Sequence, residues 1–402
     1  MKDPLEDVQL TETRQQSFLV LAVILGLMAV LIVTSPWVAA IIIGLIAMVM
    51  LHEAGHLLAA RRAGMKATEY FLGFGPRLWS FKRGETEYGI KAIPAGGYVR
   101  IIGMSNLEEV DPADEPRTFR RGSTTNRLIV ILAGVTVNIL LAWLLFTVAI
   151  AGQGKLYEGP NTTVSRVVAG SAAADAGLRD GDRFVAVDGT RVDSWNDLKD
   201  AIESRGGDET TFTVVRNGER IDIDAVPEEQ GGQGFLGIAP ASAHRNVSLI
   251  AAPVEGVRAI GTTTAEFGKG IAHLVSPAGV KQYSENFTDP AKEGSRRDLE
   301  RPRSLVGITD LGSRYIAGSV WQLLFLLASV SLVLAILNLL PLLPFDGGHA
   351  AVVIYEAIAS RIKGHTVRAD FRKLMPITAV VLAVFVMLGL SAMALDIRDI
   401  AR

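Results

Sequence analysis

The sequence predicts an α-helical polytopic membrane protein with a separate α+β domain inserted between its spans. Three observations predict this class. Charge is segregated: of 40 Lys+Arg and 42 Asp+Glu in 402 residues, none lies in 17–51, 128–153, 318–343 or 374–395. Each of these stretches supplies the roughly 20 apolar residues that a helix needs to cross a hydrocarbon layer about 30 Å thick. By contrast, 163–227 changes to β-branched runs, Gly turns and a short amphipathic helix. A chain 49% hydrophobic and 20% charged is not wholly soluble, disordered or collagen-like. The net charge of −2 argues against nucleic acid as a partner. With no cysteine, disulfides, thiolate nucleophiles and Cys-based zinc sites are excluded, so a metal must be held by His and carboxylates.

In chain order, the first apolar stretch is 18–33, only 16 residues long and separated from the next by Thr34-Ser35-Pro36. It is either an extra span or a helix lying in the membrane plane. A cleaved signal peptide fits poorly, because residues 1–16 carry four acidic and two basic side chains, the reverse of a basic leader. The four core spans are placed at 37–58, 128–151, 320–340 and 376–395. Loop charges orient them. The loop 61–127 has 12 Lys/Arg against 8 Asp/Glu, the connection 341–375 has 5 against 3, and 152–319 has 19 against 24. By the positive-inside tendency the first two face the cytoplasm and the third lies outside.

The most informative residues are His52-Glu53-Ala54-Gly55-His56. On a helix, positions i and i+4 share a face, so both imidazoles can address one metal. Glu53 is rotated about 100° from His52, as suits a base beside activated water. With 6 His in 402 residues, H-E-x-x-H is expected by chance only about 0.005 times. His52 lies about 22 Å along a helix from Trp37, still within the hydrocarbon layer. A Glu at that depth costs a few kcal/mol unless paired or hydrated, which marks a functional site.

A catalytic zinc takes three protein ligands and keeps one position open. The remaining histidines are His244, His273, His349 and His365, and the first two fall in the external segment. The segment Asn338-Leu339-Leu340-Pro341-Leu342-Leu343-Pro344-Phe345-Asp346-Gly347-Gly348-His349 ends the third core span on the same side as His56. Its prolines stop the helix and its Gly pair permits a tight turn, which leaves the Asp346 carboxylate at the membrane boundary as the favoured third ligand.

These pieces together resemble the site-2 proteases, intramembrane zinc metalloproteases, and within them the bacterial PDZ-containing branch of actinobacterial type. The resemblance covers about residue 37 to the C-terminus. It rests on HEAGH, Gly-Phe-Gly-Pro at 73–76, Pro94-Ala95-Gly96-Gly97-Tyr98, the 176–182 signature described below, and Asn338 through Gly348. It implies one zinc per chain, held by His52, His56 and Asp346, with Glu53 as general base. It further implies that Asn338 and Asn138 handle substrate. The family's last motif is N-x-x-P-x-P-x-L-D-G, whereas here the second proline is shifted to Pro344 and Phe345 replaces Leu; Gly134-Val135 stands where Gly-Pro is usual.

Residues 70–102 are rich in aromatic and β-branched side chains broken by Gly and Pro, and predict short strands in a hairpin. An ordinary amphipathic cytoplasmic hairpin has the same pattern. The resemblance implies a membrane-associated hairpin on the cytoplasmic side, with Gly73, Gly75, Pro94, Gly96 and Gly97 contacting substrate. A transmembrane helix hides its peptide bonds, so a protease must hold it extended, and a free strand edge can do so by strand addition.

Residues 163–227 contain Ala176-Gly177-Leu178, Gly181-Asp182, an apolar strand, the helical WNDLKDAIESR and a hairpin with Asn217-Gly218 at its turn. The succession resembles an extracytoplasmic PDZ domain, whose use is either peptide capture or exclusion of substrates with intact outer domains. After a Gly-rich link at 231–234, the stretch 248–274 predicts an amphipathic helix, on the outer membrane face or in the ectodomain core. Charge-dense 284–303 predicts a solvated loop.

The organisation expected is therefore an N-terminal tail and extra helix at 1–36, and a membrane core with zinc helix, hairpin and second span at 37–151. The PDZ domain follows at 160–227, a linker with its helix at 228–317, and the membrane core with third-ligand motif and last span at 318–402. The partners implied by the resemblance are the lipid bilayer and transmembrane segments of single-pass proteins, such as anti-sigma factors or remnant signal peptides. An upstream site-1 protease would act on the same substrate. Two rivals stand beside this: a membrane-anchored peptidase using Glu108 or Glu109 as third ligand, and a non-enzymatic PDZ scaffold.

Overall fold

Proline and charge set where the membrane helices begin and end. The computed structural model describes residues 4–105, 108–157, 162–168, 170–230, 232–240, 243–288, 301–304, 306–309 and 319–401. Helix α1 (Pro4–Thr34) stops at Ser35, and α2 (Pro36–Arg62) starts with proline in its first turn and ends on Arg61 and Arg62. Two long strands follow, β1 (Ala67–Arg83) and β2 (Thr86–Ile101), then α3 (Thr124–Gln153).

Short strands β3 (Lys155–Tyr157) and β4 (Val164–Val167) lead to α4 (Ala172–Asp175), β5 (Arg183–Val187), β6 (Thr190–Arg191) and α5 (Trp195–Glu203). The hairpin β7 (Thr210–Arg216) and β8 (Glu219–Ala225) is followed by β9 (Glu228–Gln230), β10 (Gln233–Phe235), β11 (Ile238–Pro240) and β12 (Ala243–Arg245). Helices α6 (Ala252–Leu274) and α7 (Pro277–Thr288) precede α8 (Val320–Asn338), α9 (Asp346–Lys363) and α10 (Phe371–Ile400).

The chain divides into two units, 1–149 with 256–264 and 304–402, and 150–255 with 265–303. Among the described residues, five helical stretches are long and apolar enough to cross a membrane: Ser17–Thr34, Pro36–Arg62, Thr124–Gln153, Val320–Asn338 and Arg372–Ile400. The stretch expected at 18–33 is thus part of a full-length helix. Ser319 caps α8 and Asp370 caps α10, each side chain accepting a backbone N–H. Gly364, at φ +70, ends α9 in the left-handed conformation.

Two apolar clusters hold the first unit. Ile41 and Met48 of α2 meet Leu323 and Leu327 of α8. Leu57 and Ala60 of α2, Ala67 and Ile101 of the strands, Val130 and Ile131 of α3, and Ala350 and Val353 of α9 form the other.

The hairpin departs from the short, turn-broken strands expected. β1 and β2 run continuously, and their glycines sit at register shifts instead of turns, with Gly73 and Gly75 at φ +84 and +83. A Cβ on Gly73 would lie 2.5 Å from the Ile93 carbonyl oxygen, so the close strand approach needs glycine there. Glu69–Leu72 pair with 97–100 on one side and with 87–90 on the other. Segment 97–101 is therefore an edge strand.

In the second unit a four-stranded sheet, ordered β6-β5-β7-β8, packs with α4 and α5 around Phe184, Leu198, Phe212 and Val214. Asn217 and Gly218 both have positive φ at the β7–β8 turn, as the Asn-Gly pair predicts. The folded segment does not stop at 227. β11 pairs with β4, and Leu236 is buried in the same core as Val164 and Ala173. Residues 284–288 complete α7, correcting the loop expected from 284; the rest of that loop, 289–300, lies outside the described residues.

Candidate metal centre

Helix α2 carries His52 and His56 one turn apart on its buried face. Their rings lie 4.8 Å apart, nearly perpendicular, with the two Nε2 atoms 3.2 Å from each other. Asp346, the first residue of α9, brings Oδ2 to 3.2 Å from His52 Nε2 and 3.4 Å from His56 Nε2. The chain reaches that point by folding back on itself. A Cβ on Gly347 would be 2.3 Å from the Leu339 carbonyl oxygen, and one on Gly348 would be 2.4 Å from Leu343 N, so both positions require glycine.

The protonation pattern follows from the second partners. His56 Nδ1 lies 2.7 Å from the Val130 carbonyl, which can only accept, so Nδ1 carries the proton and Nε2 keeps its lone pair. Asp346 Oδ2 is buried and makes no hydrogen bond among the described residues. The Nε2 atoms of the two imidazoles and a carboxylate oxygen thus converge in an apolar setting, a donor set that fits zinc with a fourth position open. Among the described residues, His52, His56 and Asp346 are the group whose ligand atoms come within 4.8 Å of one another.

Space for a metal is built in from α3. A Cβ at Gly134 would stand 2.4 Å from His56 Nε2 and 2.7 Å from His52 Nε2. Four residues on, Asn138 is buried, with its carbonyl accepting from the Ser331 hydroxyl at 2.9 Å and its Oδ1 without a hydrogen bond among the described residues. Glu53 sits on the adjacent face of α2, where Oε2 accepts the backbone N–H of Val99 at 3.0 Å. Val99 belongs to the edge segment, and its N–H points away from β1 to meet the carboxylate. The Tyr70 hydroxyl ties β1 to α2 through the Met50 carbonyl at 2.7 Å.

Other sequence-selected residues lie as follows. Gly73, Gly75, Gly96 and Gly97 line the hairpin, where a Cβ on Gly97 would touch Met50 Sδ at 3.0 Å; Pro94 is exposed on β2. Asn338 closes α8. Glu108 accepts the Gly103 N–H at 2.7 Å and faces Arg100, so it braces a loop and does not join the histidines. His273 faces Gln282, His365 is exposed, and the side chain of His244 lies outside the described residues.

In the second unit, Leu178 is core and Asp182 is buried, held by two Arg216 hydrogen bonds of 2.7 Å and by the Arg179 N–H at 2.9 Å. Gly177 and Gly181 take positive φ around it, next to Ala176. These residues build a turn.

Sequence reasoning missed Val99, the Val130 carbonyl and Gly134 as parts of the site. Only Gly134 left a trace, as the glycine four residues before Asn138.

Known proteins resemble the chain over most of its length. The model of peptidase family M50 matches residues 40–387. The zinc metalloprotease Rip1 of Mycobacterium tuberculosis (strain ATCC 25618 / H37Rv) is 35% identical over 386 residues, covering 84% of this chain and 91% of the relative. Rip1 of Mycolicibacterium smegmatis is 33% identical over 377 residues, again covering 84% and 91%. A putative zinc metalloprotease, all3971, of Nostoc sp. is 30% identical over 332 residues, covering 81% and 87%.

Proposed function

The chain belongs to peptidase family M50, the site-2 proteases, and from that premise we propose how this membrane zinc metalloprotease divides its work among residues. His52, His56 and Asp346 hold the zinc, and Glu53 is the general base. The observation that carries this assignment is the convergence of three metal-binding atoms beside a carboxylate that a strand edge holds in place.

When bound, zinc supplies Lewis acidity that activates water and polarises a scissile carbonyl. Glu53 takes the proton of the attacking water and delivers it to the leaving amine. The Val99 N–H orients Glu53 for both transfers, and the Val130 carbonyl fixes the His56 tautomer. Gly134 and Gly55 keep α3 close to α2: a Cβ on Gly55 would be 2.8 Å from the Ala133 carbonyl oxygen.

The substrate is the transmembrane segment of a single-pass protein, such as an anti-sigma factor or a remnant signal peptide, trimmed first by a site-1 protease. Its unwound backbone pairs with the edge segment 97–101, next to Glu53. A peptide bond buried in a helix is closed to water attack, and strand addition both opens it and satisfies the freed polar groups. Asn138, whose buried Oδ1 makes no hydrogen bond among the described residues, and Asn338 supply further polar contacts. The hairpin faces the cytoplasm and the 150–255 unit, PDZ-like in its strand and turn sequence, faces outside, as the loop charges suggest. It captures peptide or excludes bulky substrates.

The test is cleavage of a tagged transmembrane segment in detergent. Glu53→Gln is expected to keep zinc and lose cleavage. Cleavage by Glu53→Gln at the wild-type rate would remove the base assignment.

A further inference from the structure

A second charged cluster lies buried between α9, which carries Asp346, and α3, which packs against the two histidines. Arg127 of α3 is 6% exposed and Glu356 of α9 is 3% exposed. Arg127 Nη1 donates to Glu356 Oε2 at 2.8 Å, across 229 residues of sequence. Arg368 Nη1 donates to the same oxygen at 3.0 Å, and the Ala369 N–H donates to Oε1 at 2.8 Å. The Arg127 guanidinium also lies 5.0 Å over the Phe119 ring. Glu356 thus accepts three donors from two directions, a geometry that fixes its position.

Both partners stand on helices that build the metal centre. Arg127 precedes Val130, whose carbonyl orients His56, by one turn, and precedes Gly134 by seven residues. Glu356 follows Asp346 by ten residues on α9. Between the two layers lie Val130, Ile131, Ala350 and Val353, packed in one apolar cluster with Leu57 and Ala60 of α2. Apolar packing alone tolerates sliding of one helix along another, whereas a buried ion pair admits one register.

We infer that Arg127 and Glu356 are positioning residues: their buried pair, anchored by Arg368, sets the register of α9 against α3 and so places Asp346 opposite the two histidines. This deepens the ligand assignment proposed above and rests on it. The pair touches neither metal nor substrate, so its effect is on zinc affinity and ligand geometry.

The experiment uses the full chain in detergent. Zinc affinity is measured by competition with a chelator, and the visible spectrum is recorded after cobalt(II) substitution, for wild type, Asp346→Asn, Glu356→Gln, Arg127→Gln and Arg127→Lys. Glu356→Gln and Arg127→Gln are expected to weaken zinc binding by roughly ten- to hundredfold and to move the cobalt bands away from their wild-type positions. Arg127→Lys, which keeps the charge, is expected to recover most of the affinity. If Glu356→Gln fails to fold, Arg127→Gln decides, because Glu356 retains Arg368 and Ala369. Lower thermal stability with wild-type zinc affinity and cobalt spectrum in the folded variants overturns the inference and leaves the pair a structural brace. An Asp346→Asn variant that binds zinc with the wild-type spectrum overturns the ligand assignment, and the inference with it.

Discussion

Val99 donates its backbone N–H to Glu53 Oε2 at 3.0 Å, joining the edge of the hairpin to the zinc helix across 46 residues of sequence. Without this contact the Glu53 carboxylate would be free to rotate away from the metal face of α2. Val99→Pro removes the donor without removing a bond to β1. A hydrogen bond to a charged group contributes about 1.5–3 kcal/mol, so kcat is expected to fall roughly ten- to hundredfold. Zinc content should stay at one per chain. Steady-state cleavage of a transmembrane substrate with metal analysis checks both; unchanged kcat would show that Glu53 needs no support from the hairpin.

Gly134 is the second position where the site depends on α3. Its absent side chain leaves room for the His52 and His56 rings, and an added Cβ would come within 2.4 Å of His56 Nε2. Gly134→Ala is expected to weaken zinc binding at least about tenfold, the lower range for disturbed metal surroundings, while the helices remain folded. Circular dichroism and chelator competition on one preparation separate these effects. Wild-type zinc affinity would mean that the rings can move aside.

In the second unit, burial pushes the Asp182 carboxyl up, but the Arg216 hydrogen bonds and the Arg179 N–H outweigh it and hold it below the usual carboxylate range. A depressed folded-state value means that the stabilisation is fully present above the unfolded carboxyl range, near pH 4, and is lost as pH falls through the folded value. Hydrogen exchange in β7 and β8 of the full chain is expected to accelerate below about pH 4. Asp182→Asn should exchange faster at neutral pH and lose most of that acid dependence. An unchanged profile in the variant would place the acid response elsewhere.

The metal centre was readable in proportion to how local its signals are. His52 and His56 share one helical turn, and Asp346 follows from topology and the turn-forming Gly347-Gly348. The four core spans were readable because hydrocarbon demands a length and a lack of charge that few other settings do, whereas the 16 apolar residues at 18–33 fit a span and an in-plane helix alike. What the sequence hid is contact between distant segments: Val99 with Glu53, Val130 with His56, Arg127 with Glu356. Valine at 99 and 130 contributes only its backbone, which carries no residue-type signal. The bulged, continuous hairpin was also hidden, because glycine marks a turn and a bulge alike, and only the pairing of Glu69–Leu72 on both sides distinguishes them. The pairing of β11 with β4, beyond the PDZ-like stretch expected to end at 227, was hidden because β11 is only three residues long, too short for a pattern.

The most direct test of the central claim is zinc stoichiometry and cleavage of a tagged transmembrane segment measured together in wild type, Glu53→Gln and Asp346→Asn. The account predicts that Glu53→Gln retains one zinc and loses at least about a hundredfold in rate, as removal of a general base requires, while Asp346→Asn loses both metal and cleavage. Full zinc occupancy with wild-type cleavage in Asp346→Asn would contradict it.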